Sequence, residues 1–146
     1  LLQPRRLNIF TDGAIRSDQG KSGMAAVLYD SRGQVLHWLA RQGGRMTNNE
    51  AEYGAVILAM EALHAFNPDQ VAVYTDSQIV VEQMSGRARV NAPSLKPLHA
   101  QLLAMVVRFH QVAFQHIPRE QNRLADALAN DAAEGNVHTL RIHKLS

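Results

Sequence analysis

The sequence predicts an α/β fold: a five-stranded mixed sheet, made of a three-stranded antiparallel meander plus parallel strands, with helices on both faces. Three observations carry this. The first forty residues hold three β-prone runs separated only by turns. Two later runs are short and apolar on both faces, which suits parallel, central strands. Helical patterns separate those two runs, as βα units require.

The elements follow in order. Leu7–Thr11 reads as a strand, and "DGAIRSDQGKSG" (Asp12–Gly23) as a polar turn. Met24–Asp30 and Val35–Ala40 are strands flanking the turn "SRG". Thr47–Phe66 is a helix, with Ala51, Ala55, Leu58, Ala59 and Ala62 on one face. Thr47 followed by Glu50 forms a capping box, with Thr47 as N-cap. Val71–Thr75 is the fourth strand and Ser77–Met84 a short helix that stops near Gly86. After the basic loop "GRARVNAPS" come a helix over Leu95–Arg108 and a fifth strand over Val112–His116. Asn122 caps a last helix that runs to about Glu134, with Gly135 at its C-terminal end. The reading divides the chain into one domain over residues 1–135 and a tail over 136–146. That tail either adds a strand edge or links to another domain.

Composition bounds the function. Hydrophobic residues make up 46% of the 146-residue chain, enough for a packed core and too many for a disordered one. No apolar run approaches the roughly 20 residues of a membrane span, so no membrane partner is expected. The absence of cysteine excludes disulfides and thiolate metal sites and fits a reducing compartment; no signal peptide is visible, and a cytoplasmic monomer is expected. The chain begins with Leu, which leaves room for an additional domain in a longer parent chain. The formal charge is only +2, but committing four carboxylates to metal leaves nine acids against fifteen bases, or +6. Twelve of those bases are Arg, which favours a polyanionic partner.

Four carboxylates stand out. Asp12 and Asp76 sit at the carboxyl ends of two apolar strands, where open α/β sheets gather function. Glu52 lies five residues past the first helix's cap, and Asp126 early in the last helix. Singly, each has a plainer explanation as a turn cap or a solvated helix residue. Together they would repel, and a divalent cation relieves that repulsion. Oxygen-only donors select Mg²⁺ or Mn²⁺, and paired ions of this kind drive phosphodiester cleavage without a nucleophilic side chain.

"FTDGA" (Phe10–Ala14), "TNNEAEY" (Thr47–Tyr53), "YTDSQ" (Tyr74–Gln78) and "REQNRLADALA" (Arg119–Ala129) together resemble the motif series of type 1 ribonuclease H, across roughly residues 7–134. The look is nearest to compact bacterial and archaeal members and to similar domains of plant retroelements. The resemblance implies a ribonuclease H-like fold and a catalytic domain over 1–135. It implies hydrolysis of the RNA strand of an RNA–DNA hybrid, leaving 5′-phosphate and 3′-hydroxyl ends. It assigns two Mg²⁺, with Mn²⁺ as substitute, to Asp12, Glu52, Asp76 and Asp126. It also implies substrate contacts from Gly13, Thr47, Asn48, Asn49 and Gln78; the amide side chains of Asn48, Asn49 and Gln78 suit a 2′-hydroxyl. For the auxiliary catalytic group it offers Arg119, with His116 as second choice.

Two departures from the family pattern matter. The turn that often reads Gly-Asn-Pro-Gly is "SDQG" (Ser17–Gly20), which puts Asp18 close to a phosphate-rich ligand. A basic, Trp-containing insertion is replaced by "GRARVNAPSLK", with Arg87, Arg89 and Lys96 as a reduced version. Trp38 is read as packing. The competing readings are a catalytically weak or inactive nucleic-acid-binding domain of the same fold, which has no use for four converging carboxylates, and another metal-dependent nuclease or strand-transfer enzyme.

Overall fold

The computed structural model describes residues 5–136 and 139–141. Strands β1 (Arg6–Arg16), β2 (Lys21–Tyr29) and β3 (Val35–Gly43) form the antiparallel meander. Helix α1 (Asn48–Leu63), strand β4 (Gln70–Thr75), helices α2 (Gln78–Met84) and α3 (Lys96–Val106), strand β5 (Gln111–His116) and helix α4 (Arg123–Ala133) follow. A short strand β6 (Thr139–Arg141) pairs with β3, so part of the tail adds a sheet edge. The sheet order is β5-β4-β1-β2-β3-β6, with β4 parallel to both β1 and β5. No helix among the described residues is long and apolar enough to cross a membrane.

Two apolar layers sandwich the sheet. Ile9, Ala26, Leu28 and Val73 pack with α1 residues such as Val56 and Met60 on one face. Ala14, Ala25 and Val27 pack with Ala125, Leu128 and Ala129 of α4 on the other. Adjacent β2 residues therefore serve opposite layers, which the alternation of a strand dictates. Helix α1 buries more than the one stripe expected: nine of its residues are buried, including Val56, Ile57 and Met60. It is covered by the sheet on one side and by α2 and α3 on the other. Trp38 packs against the α4 layer, as expected.

Two expectations need correction. The segment Asp12–Gly23 is not a turn. The β1–β2 ladder continues from Asp12↔Ala25 to Arg16↔Lys21, and only Ser17–Gly20 turns, with Gly20 at φ 62. Asp12 is therefore inside β1, not at its end. It still lies beyond the last parallel pair with β4, Phe10↔Tyr74, so it projects where the parallel part of the sheet stops. Asn122 does stand at the N-cap position, but its side chain makes no cap bond. Its Nδ2 instead donates to the Thr11 carbonyl at 2.8 Å, tying the start of α4 to β1.

Two glycines set how closely the helices approach. A Cβ on Gly13 would stand 2.5 Å from the Ala51 carbonyl carbon of α1. A Cβ on Gly23 would stand 1.9 Å from the Ala129 oxygen and 2.6 Å from the Ala133 nitrogen of α4. Both obstacles are helix backbone, which cannot swing aside. Gly23→Ala is therefore expected to cost about 3 kcal/mol by forcing α4 off β2. Urea denaturation checks this, and wild-type stability in the variant would contradict it.

Candidate functional site

Each acid of the site is mounted differently. Asp12 rides on β1 where that strand is paired only to β2. Asp76 follows β4 in a turn held by two bonds: the Ser77 N–H donates to Thr75 Oγ1 at 3.0 Å, and the Val80 N–H to Ser77 Oγ at 3.3 Å. Glu52 sits in the first turns of α1, where the capping box is complete: the Glu50 N–H donates to Thr47 Oγ1 (3.1 Å) and the Thr47 N–H to Glu50 Oε1 (2.8 Å). The contact of Gly13 with Ala51 sets Glu52 beside Asp12, and the Gly13 N–H donates to Glu52 Oε1 at 3.1 Å. Asp126 lies in the first turn of α4, four residues past the anchor Asn122.

Carboxylate oxygens of Asp12, Glu52 and Asp76 all lie within 4.8 Å of one another. Asp126 stands outside that tight set. Its Oδ1 is 3.8 Å from Arg119 Nη2. Burial raises the pKa of Asp12 well above the carboxylate range, and the charges of Glu52, Asp76 and Asp126 add to the rise. Glu52 is raised by burial and then by Asp76, against the lowering effect of the Gly13 N–H. An all-oxygen, like-charged donor set of this size fits a hard divalent cation.

The acids floor an open groove of about 630 Å³. Of the residues expected to act, Gly13, Asn48, Asn49, Gln78 and Arg119 line it together with all four acids. Thr47 does not line it; its side chain caps α1. Nor does His116, at the exposed end of β5. The expected basic patch is reduced further. Arg87 is taken up by Glu82, with Nη2 2.8 Å from Oε2, while Arg89 and Lys96 flank a separate groove with His99. At the hairpin tip that carries Asp18, Arg45 Nη1 donates to the Ser17 carbonyl at 3.0 Å, so a cation shares that turn.

Arg16 and Asn130 also line the groove and were not foreseen. Strand alternation puts Arg16 on the side of Asp12, but only if the strand extends past Thr11. Helical spacing puts Asn130 one turn beyond Asp126.

A family model described as reverse transcriptase-like matches residues 10–132. A bifunctional protein of Mycobacterium tuberculosis is 37% identical over 127 residues, covering 86% of this chain. The chain spans only 35% of the length of that relative. The crystal structure of RNase H1 from the halophilic archaeon Halobacterium salinarum matches with a TM-score of 0.85 at 35% identity, over 89% of this chain and 98% of that one. The crystal structure of LC11-RNase H1 in complex with an RNA/DNA hybrid matches with a TM-score of 0.83 at 37% identity, over 88% and 97%.

The raised acids make a stability prediction. Without metal, folded Asp12 and Glu52 hold protons that the unfolded chain has already released above the ordinary carboxylate range. Their contribution to stability therefore falls as pH rises from that range toward their folded values. In chelator, Asp12→Asn is expected to gain stability relative to wild type as pH rises from about 5 to about 8. Urea midpoints across that range check this; a constant difference would contradict it.

Proposed function

Since the chain belongs to the ribonuclease H family, we propose that it hydrolyses the RNA strand of RNA–DNA hybrids, leaving 5′-phosphate and 3′-hydroxyl ends. The observation that carries this reading is the meeting of Asp12, Glu52 and Asp76 within 4.8 Å at the floor of a groove. Asp12, Glu52, Asp76 and Asp126 hold two Mg²⁺, or Mn²⁺, in this proposal. When bound, such ions supply a nucleophile at neutral pH and stabilise the leaving oxygen. Asn48, Asn49 and Gln78 present amides that donate to and accept from a 2′-hydroxyl, the group that separates RNA from DNA. Thr47 acts through its cap, which fixes the first turn bearing both asparagines. Gly13 lines the floor beside Asp12, and in this proposal its backbone meets the substrate there.

Arg119 binds the scissile phosphate or helps expel product. It lines the groove and is 74% exposed, so its charge is available to a phosphate. It is not a general base, because guanidinium keeps its proton. His116 is the weaker candidate, since it lies off the groove. The hybrid-bound LC11 relative supports the substrate class. A cytoplasmic, monomeric catalytic unit over residues 1–135 completes the proposal.

One assay tests it: Mg²⁺-dependent cleavage of a labelled hybrid, with duplex RNA and duplex DNA as controls. Asp76→Asn is expected to slow cleavage at least about 1000-fold, roughly 4 kcal/mol of transition-state stabilisation. Retained cleavage in that variant would remove Asp76 from the site. In the same assay Arg119→Ala should slow turnover on the order of tenfold or more, and His116→Ala by less; the reverse order would make His116 the auxiliary group.

A further inference from the structure

Asp126 is the acid that the tight carboxylate set leaves out. It rides on α4, and the other three are held by the interior of β1, the turn after β4 and the first turns of α1. Something must fix its side chain relative to theirs. The structure shows a chain of side chains leading to it. Arg16 Nε donates to Glu134 Oε2 at 2.7 Å, and Arg16 Nη2 donates to Asn130 Oδ1 at 2.9 Å. Asn130 Nδ2 in turn donates to Asp126, to its carbonyl at 2.9 Å and to its Oδ1 at 3.3 Å.

The direction of this chain is forced. A guanidinium can only donate, so the Asn130 carbonyl oxygen must face Arg16. That turns the amide nitrogen toward Asp126, and an amide nitrogen only donates. Glu134 anchors the guanidinium from the end of the same helix, four residues past Asn130. Arg16 also donates through Nη1 to the Ile15 carbonyl, so all three of its nitrogens are engaged. The relay thus spans β1 and α4, the two elements whose separation decides how far Asp126 stands from Asp12.

We propose that Asn130, oriented by Arg16 and Glu134, is a positioning residue that holds the Asp126 carboxylate ready to share a divalent cation with the Asp12 cluster. The proposal rests on the reading of these acids as a metal site. Outer partners of metal-binding carboxylates typically govern affinity by 10–100-fold. The relay makes a prediction opposite in sign to simple electrostatics. Removing the Arg16 cation should by charge alone strengthen cation binding; by loss of the relay it should weaken it.

The test is Mn²⁺ binding to the hybrid-free protein, followed by calorimetry or by the free-Mn²⁺ paramagnetic signal. Asn130→Leu, which keeps the side-chain volume and removes the donor, should weaken Mn²⁺ binding roughly tenfold. Arg16→Gln should also weaken it, and the double variant should lose little more than Asn130→Leu alone. If Asn130→Leu does not fold, Arg16→Gln carries the test by the sign of its effect. Isotherms that superimpose on wild type, or tighter binding by Arg16→Gln, would overturn the proposal. Hybrid cleavage by the wild type is measured separately. A relay effect on Mn²⁺ without cleavage would sink the nuclease reading alone, and cleavage with unchanged Mn²⁺ binding would sink the relay alone.

Discussion

Carboxylates crowded within 4.8 Å of one another repel when all are ionised, and Asp12 is only 4% exposed, so water screens little of that repulsion. A fold that places them there must hold them against the repulsion, and a cation or a proton must neutralise part of it. Much of the local architecture follows from this constraint. Glu52 accepts the Gly13 N–H, which partly offsets its burial. The Asp76 turn is closed on both sides by Thr75 and Ser77. Asp126 is held at the margin, where Arg119 and Asn130 face it.

The means of holding them is close packing of backbone. At Gly13 the missing side chain lets α1 sit against β1, so that Asp12 and Glu52, the sequence neighbours of Gly13 and Ala51, become neighbours in space through the Gly13–Ala51 contact. At Gly23, which pairs with Ala14 across the hairpin, the missing side chain lets α4 sit against β2. Asn122 then pins the start of α4 to Thr11, the residue before Asp12. The acids thus come from four elements, and three short contacts set the distances among Asp12, Glu52 and Asp126. Rigid mounts of this kind suit a site whose chemistry depends on sub-ångström placement of charges.

Most of this was legible in the sequence, for physical reasons. The meander announced itself through turn residues, and the buried strand β4 through its apolar run; β5, read as equally buried and central, is an edge strand with no buried residue. The cap of α1 was legible because a capping box is local. Three of the four acids fall where a strand or helix begins or ends; Asp12 reads the same way in sequence but lies inside β1. What escaped reading depends on partners distant in sequence. Polar residues after Asp12 suggested a turn, but Ala14 packs under α4 and keeps the chain extended to Arg16. That error concealed Arg16 as a groove residue. Asn122 looked like a cap because Asn at that position usually is one; nothing local reveals that Thr11 offers its carbonyl instead. One local pair also escapes the sequence: Arg87 is held by Glu82, five residues earlier, across the turn at Gly86.

If burial governs the site, its metal-free form holds protons on Asp12 and Glu52, and a cation displaces them. Calorimetric titration of Mn²⁺ in two buffers of different ionisation enthalpy at neutral pH counts those protons directly. Release of on the order of one proton as the metal binds is the predicted result. An enthalpy independent of buffer, meaning no release, would show that the acids are already ionised and that burial does not govern this site.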